Sequence, residues 1–340
     1  MARIHDLVEL LKGAPDEVFI QPHNVPDPDA IASCFGLEQL LAALGVQAAI
    51  VYEDEIEKAN SLTMLTTFGI QMRHSADIST LGKEDWTVLV DVQKSNANYT
   101  DLVTDEVACI DHHQYNGPQG YRFEDVRPEA GSCSAIIAQY FQEADVTPER
   151  NVAAALLYGI FMDTNDLTRG TSPLDIDLFY WLYSRADISL ITQLKASELS
   201  LDDLQDYARA FQSVEVYGQI GFLPLENGND SLLGAASDIV TSVAGVNVVV
   251  SYAIRDTGVK YSTRSITPQI NAGELVRFIV DGHGVGGGHD VMAGGFIPRE
   301  RLPAGKGIDT FTRVRAVTFV NAALDHEAPA TAPGVPEAAG

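Results

Sequence analysis

The triplet Asp111-His112-His113 directly follows an apolar run, Val107-Ala108-Cys109-Ile110, and so sets one carboxylate and two imidazoles at the end of an expected buried strand. Three further clusters sit at or near the ends of apolar stretches: His23-Asn24-Val25-Pro26-Asp27-Pro28-Asp29, Asp91 after Trp86-Thr87-Val88-Leu89-Val90, and Asp163 after the segment from Leu156 to Met162. Hard carboxylate oxygens mixed with imidazole nitrogens suit Mn2+, Mg2+ or Zn2+. Brought together, the four clusters would make a two-metal hydrolase centre. Singly, each has an ordinary explanation. Asp29 could cap a helix, Asp91 could end a turn, a histidine could be a satisfied core residue, and Asp163 could close a helix. Their shared placement at element ends is what favours metal chemistry.

The elements that must position these residues alternate in type. Strands are expected at Glu17–Gln21, Ala48–Tyr52, Trp86–Val90 and Val107–Ile110, with a helix from Ala30 to Leu44 capped by Gly45. Pro26 and Pro28 rule out a regular helix in the first cluster and stiffen that loop. Further helices are expected over Ser132–Glu143 and Thr147–Phe161, the latter with Thr147 as N-cap and Pro148 at its first position. Such alternation predicts an α/β fold with a parallel sheet covered by helices. Ligands bind beyond the carboxyl ends of such strands, where His23, Asp91 and Asp111 fall. The expected division is a catalytic domain over residues 1–186, a helical connector over 187–212, a smaller α/β domain over 213–324 across a cleft, and a disordered tail over 325–340. Strands at Val214–Tyr217, Val246–Ile254 and Val259–Ser265 and helices at Glu274–Val280 and Asp309–Leu324 are expected in the second domain.

The chain of 340 residues carries 22 basic against 47 acidic residues, a formal charge of −25, and only seven of the basic residues are lysine. Such a surface repels nucleic acid and anionic membrane over long range. It fits adaptation to high salt, where a Debye length of about 3 Å at 1 M removes the self-repulsion. The chain has no long apolar run and no apolar leader at its start, so a cytoplasmic protein without membrane association is expected. Cys34, Cys109 and Cys133 are scattered and read as buried free thiols. A homodimer is left open.

Taken together, His23-Asn24-Val25-Pro26-Asp27-Pro28-Asp29-Ala30, Val90-Asp91, Asp111-His112-His113 and Asp163-Thr164 resemble the motifs of the DHH phosphoesterase superfamily. Gly286-Gly287-Gly288-His289 is similar to the glycine-rich motif of the DHH-associated C-terminal domain, and Ser262-Thr263-Arg264-Ser265 to the strand that precedes it. The resemblance implies two divalent ions, usually Mn2+, with Mg2+ or Co2+ as alternatives. His23, Asp27 and Asp91 would hold one. Asp29, Asp91, His112 and Asp163 would hold the other, with Asp91 bridging. His113 would contact the scissile phosphate, and Asp111 would orient the adjacent histidine. Relatives often carry glycine after the Asp-Thr pair; this chain has Asn165, which bears on local pocket shape.

The string Gly282-His283-Gly284-Val285-Gly286-Gly287 also matches a dinucleotide-binding pattern, but no strand–helix unit surrounds it. A loop whose backbone amides approach a phosphate is the better expectation. There His289 would add a hydrogen bond and Arg264 a bidentate contact. The layout resembles the nanoRNase and pAp-phosphatase branch, which implies a phosphodiesterase or phosphatase for short oligonucleotides, 3′-phosphorylated nucleotides or (cyclic) dinucleotides. A RecJ-like single-strand exonuclease is the main alternative and would need a basic, aromatic channel. An inorganic pyrophosphatase would lack the second domain, and a non-catalytic nucleotide-binding relative would have lost metal ligands.

Overall fold

In the computed structural model, which describes residues 3–56, 59–196, 201–226, 230–305 and 307–325, the chain divides into two compact units, 1–198 and 199–340. The first unit runs α1 (Arg3–Leu11), β1 (Val18–Gln21), α2 (Pro28–Ala43), β2 (Ala48–Tyr52), α3 (Ala59–Phe68), β3 (Met72–His74), β4 (Trp86–Val90), β5 (Asp105–Asp111), β6 (Phe123–Val126), α4 (Cys133–Glu143), α5 (Arg150–Asp163), α6 (Pro173–Tyr183) and α7 (Ile188–Ala196). Its six strands lie in the order β3-β2-β1-β4-β5-β6, all parallel.

Both faces of this sheet are buried, which explains why its strands read as apolar runs rather than alternating ones. Val18, Ile20, Val88, Val90, Ala108 and Ile110 enter the main core with α2, α4 and α5. The intervening Phe19, Leu89 and Cys109 enter smaller clusters. The strand order reverses between β1 and β4, so the loops after these strands diverge and leave a crevice for a ligand.

Two helix starts differ from expectation. Pro28 is not a breaker but a first-turn residue of α2, where its missing N–H costs nothing. The helix expected from Thr147 begins at Arg150, because Glu149 is still extended and takes the N-cap place. Gly45 does end α2. With φ +82° it lets its own N–H reach Ala42 O (3.1 Å) while Val46 N–H reaches Leu41 O (2.9 Å).

The second unit runs α8 (Leu201–Gln212), β7 (Glu215–Tyr217), β8 (Ile220–Glu226), α9 (Asp230–Val240), β9 (Val248–Arg255), β10 (Gly258–Ser265), α10 (Ala272–Val280), β11 (Val285–Gly288), β12 (Met292–Pro298) and α11 (Ile308–Asp325). Its mixed sheet has the order β11-β12-β10-β9-β8-β7, with β8 and β9 parallel. The segment read as a connector forms α7 and α8, which belong to different units; α7 packs on α3 and α5, α8 on α9 and β8. The tail expected to be disordered lies, apart from Asp325, outside the described residues. All three cysteines are buried free thiols. No helix among the described residues is long and apolar enough to cross a membrane.

Candidate metal centre

The polar residues that the sequence singles out in the first unit come together beyond the carboxyl ends of β1, β4 and β5. Three overlapping groups have donor atoms within 4.8 Å of one another: His23 with Asp27 and Asp91, Asp29 with His112 and Asp163, and Asp91 with His112 and His113. Local backbone geometry aims them. Asp91 turns out of β4 with φ +62°, and Val25, ahead of Asp27, has φ +52°. Left-handed backbone is costly for residues with side chains and clusters at functional sites. After Asp163 the chain makes three consecutive left-handed residues, Asn165, Asp166 and Leu167, with φ of 49°, 55° and 64°. Asn165 thus adopts the conformation that a glycine would take without strain.

Asp27 has two tasks. It is the N-cap of α2, its Oδ1 accepting from Asp29 N and Ala30 N at 3.1 Å each, and it faces His23 Nε2 at 3.9 Å. The capping and the ligand interpretations therefore hold together. Two of the imidazoles use Nδ1 on a backbone carbonyl: His23 on Asn24 O (2.8 Å) and His112 on Ala130 O (3.2 Å). A donating Nδ1–H leaves the Nε2 lone pair for a metal. His23 Nε2 lies 3.6 Å from Asp91 Oδ2, and His112 Nε2 lies 3.3 Å from Asp91 Oδ1 and 3.1 Å from Asp163 Oδ2.

Asp111 is fully buried and belongs to a supporting layer. Its Oδ1 accepts from His113 Nδ1 (2.8 Å) and from the backbone of His112 (2.8 Å) and His113 (3.2 Å). The ring it holds is that of His113. Its Oδ2 accepts from Gln93 Nε2 (2.6 Å), a residue not singled out by sequence, whose only signal is its place two positions after Asp91. Burial would raise the Asp111 carboxyl, but the His113 hydrogen bond and charge and the Gln93 hydrogen bond outweigh it and hold it below its usual range. Side-chain exposure is 33% for His113 against 10% for His23 and 12% for His112, so His113 is the ring best placed to meet a substrate.

The electrostatics call for a cation. Burial, then the charges of Asp91 and Asp163, push Asp29 well above the usual carboxylate range. Burial lifts Asp163 to about 6, the His112 charge opposing and those of Asp27 and Asp91 adding. Burial alone would lower His23, but its hydrogen bond to Asp27 and the charges of Asp27 and Asp91 raise it to about 9. His112 rises well above its usual value because Asp91, Asp163 and Asp29 outweigh its burial. Asp91 Oδ1 is buried and has no hydrogen-bond partner among the described residues. Four carboxylates converging with three imidazoles is an arrangement that divalent cations can relieve in place of protons. The donor set fits such ions.

The chain matches the DHH family N-terminal domain over residues 17–160 and the DHHA1 domain over residues 218–306. It thus contains a DHH domain and a DHHA1 domain. The DHH family comprises metal-dependent phosphoesterases. An uncharacterized protein of Methanocaldococcus jannaschii is 30% identical over 84% of this chain and 59% of its own length. The cyclic-di-AMP phosphodiesterase PdeA of Listeria monocytogenes is 27% identical over 81% of this chain and 44% of its own. The chain thus spans about half the length of these two relatives. Among solved structures, an exopolyphosphatase-related protein from Bacteroides fragilis shares the fold with a TM-score of 0.71 at 19% identity, over 96% of each chain. RecJ of Thermus thermophilus, solved with Mn2+, has a TM-score of 0.58 at 15% identity over 94% of this chain and 55% of RecJ.

In the second unit, which holds the DHHA1 match, a pocket of about 330 Å3 is lined by residues that include Arg264, Gly287, Gly288 and His289. Arg264 is buried and held internally. It donates to Asp238, to Ser262 Oγ (2.8 Å), to Thr263 O (3.1 Å) and to Gly234 O (3.4 Å). The glycines do not form the expected loop: Gly286, Gly287 and Gly288 are in β11, an edge strand paired with β12. A Cβ on Gly286 would lie 3.1 Å from Val280 of α10, and one on Gly288, with φ +146°, would lie 2.6 Å from Ala293 Cα. Only Gly287 opens to free space. Close packing explains two of the three glycines, and a periodicity search sees no strand in a run without side chains.

Proposed function

We propose that the protein is a two-metal phosphodiesterase or phosphatase for short oligonucleotides, 3′-phosphorylated nucleotides such as pAp, or linear and cyclic dinucleotides. One observation carries this: acid and histidine donors from separate chain segments converge on Asp91, whose buried Oδ1 accepts no hydrogen bond among the described residues although His112 Nε2 lies 3.3 Å away. His23, Asp27 and Asp91 would hold one ion, and Asp29, Asp91, His112 and Asp163 the other. Such ions supply Lewis-acid charge for a phosphoryl group and lower the pKa of water. The chain's own residues provide the rest. Asp111, fixed by Gln93, keeps His113 raised above its ordinary value and orients a ring that can donate to a phosphate oxygen. Mn2+ is the ion we favour, in keeping with the Mn2+ in the RecJ structure.

The preference for short substrates has three supports. PdeA, by its name, acts on a cyclic dinucleotide. The pocket at Arg264 has room for about one nucleotide. A net charge of −25 opposes tracking along a polyanion. The test is Mn2+-dependent hydrolysis of a matched panel: a dinucleotide, a short oligomer, pAp, cyclic di-AMP, and long single-stranded RNA and DNA. Preference for the short members is expected. Processive digestion of the long strands would replace this proposal with a RecJ-like exonuclease.

A further inference from the structure

Two ligand candidates of one metal group, Asp29 and His112, are held by a single short segment, residues 130–134. The Ala130 carbonyl takes the Nδ1 side of His112 at 3.2 Å. The first amides of α4 take Asp29, Cys133 N on Oδ2 (2.7 Å) and Ser134 N on Oδ1 (3.0 Å). The third candidate of that group, Asp163, precedes Thr164, which borders the same segment: a Cβ on Gly131 would lie 3.0 Å from Thr164 Cγ2.

The segment is itself clamped by Asp175, on the first turn of α6. Asp175 is fully buried. Its Oδ2 accepts from Gly131 N (2.8 Å), Ser172 N (2.9 Å) and Ser172 Oγ (2.5 Å), and its Oδ1 accepts from Ser132 Oγ (2.8 Å). Ser132 is in turn the N-cap of α4. That same niche leaves no room for a side chain at position 131, where a Cβ would sit 2.7 Å from Asp175 Oδ2 and 2.8 Å from Gly170 O. Asp175 forms no ion pair among the described residues; neutral donors alone satisfy it. A buried charge satisfied this way is a poor source of stability but a firm template for the groups that donate to it.

The other group, His23 with Asp27 and Asp91, is supported differently, by Asn24 O on His23 and by Asp29 N and Ala30 N on Asp27. None of these contacts passes through residues 130–134. We propose that Asp175 is a positioning residue for one of the two metal positions, the one formed by Asp29, His112 and Asp163. It acts by fixing the Gly131–Ser132 backbone that orients the first two. This inference rests on the two-cation interpretation above.

The experiment is calorimetric titration of the full chain with Mn2+, alongside thermal unfolding in chelator, for the wild type, Asp175→Asn, Ser132→Ala and Asp125→Asn. Asp125 is the control. It is as buried as Asp175, but its side-chain partners are Arg3, Arg127 and Tyr140, none of which belongs to a metal group. In Asp175→Asn, one of two binding events is expected to weaken about 10- to 100-fold, the range for groups that orient metal ligands, while the other stays within about twofold. Ser132→Ala should shift the same event by less and carries the test if Asp175→Asn does not fold. Asp125→Asn should lower the unfolding temperature and leave both events in place. Equal weakening of both events in Asp175→Asn, or wild-type values for both, would overturn the proposal. A wild type that takes up no Mn2+ would instead remove the two-cation interpretation beneath it.

Discussion

Metal affinity and stability should respond to pH with opposite signs, and His23 sets the size of both effects. In the ion-free protein its imidazole is raised from 6.5 to about 9. At 1.36 kcal/mol per unit, that shift corresponds to about 3 kcal/mol of stability. The contribution is fully present below pH 6.5 and is lost as pH rises through 9. A cation entering the His23–Asp27–Asp91 group must displace the same proton. At pH 7, two units below the raised value, displacement costs about 2.7 kcal/mol, or about a hundredfold in apparent affinity. Affinity at this group should therefore climb by about one decade per pH unit between 7 and 9 and then level off. His112, also held well above its usual value, adds a second proton at the other group. The assay is anaerobic Mn2+ calorimetry from pH 6.5 to 9.5 in buffers of different ionisation enthalpy, which counts the protons released, with thermal unfolding in chelator as its counterpart. His23→Gln should flatten the slope at one event and reduce the stability loss in chelator. Flat affinity without proton release in the wild type, or an unchanged slope in His23→Gln, would refute the reasoning.

Further outcomes follow from the same geometry. Asp163→Ala should abolish hydrolysis while leaving the unfolding temperature in chelator at or above that of the wild type, since it removes a carboxyl that burial has raised to about 6; full turnover would reject the metal assignment. Arg264→Ala should raise KM on short substrates more than it lowers kcat, and an unchanged KM would take Arg264 out of substrate binding. Gly288→Ala should cost about 2 kcal/mol or more, because it combines φ +146° with a Cβ 2.6 Å from Ala293 Cα, whereas Gly287→Ala meets open space and should be nearly neutral; denaturant titration separates the two. With a charge of −25, the unfolding temperature should rise with KCl from 0.1 M into the molar range, and a flat or falling profile would count against salt adaptation.

The metal groups were readable because their members lie at the ends of segments with clear hydrophobic patterns. Val88–Val90 and Val107–Ile110 are apolar on both sides of the strand, so the first carboxylate after each run, Asp91 and Asp111, marks the strand's carboxyl end. What stayed hidden was either supporting structure or glycine-rich. Gln93 and Asp175 are single polar residues without a motif, and only the fold brings Asp175 to Gly131 or Gln93 to Asp111. In the second unit, β8 was missed because Gly221 and Pro224 interrupt its pattern, and Gly221 is there to admit Val240 of α9, 2.9 Å from where a Cβ would lie. The strands β11 and β12 fell to the same cause, since Gly286 and Gly287 pair with Gly295 and Gly294 through their backbones.

Donors that arrive from the ends of β1, β4, β5 and α5 come from parts of the chain far apart in sequence. A cation held by all of them therefore acts as a reversible cross-link on the first unit. It closes long loops whose entropy the folded chain has already surrendered, so most of its binding free energy adds to resistance against local opening. The segments most exposed to this effect are the left-handed turn at Asn165–Leu167 and the loop through Val25, which combine costly backbone with an adjoining ligand candidate, Asp163 and Asp27 respectively. Supply of metal would then govern how long the protein survives a protease as directly as it governs turnover.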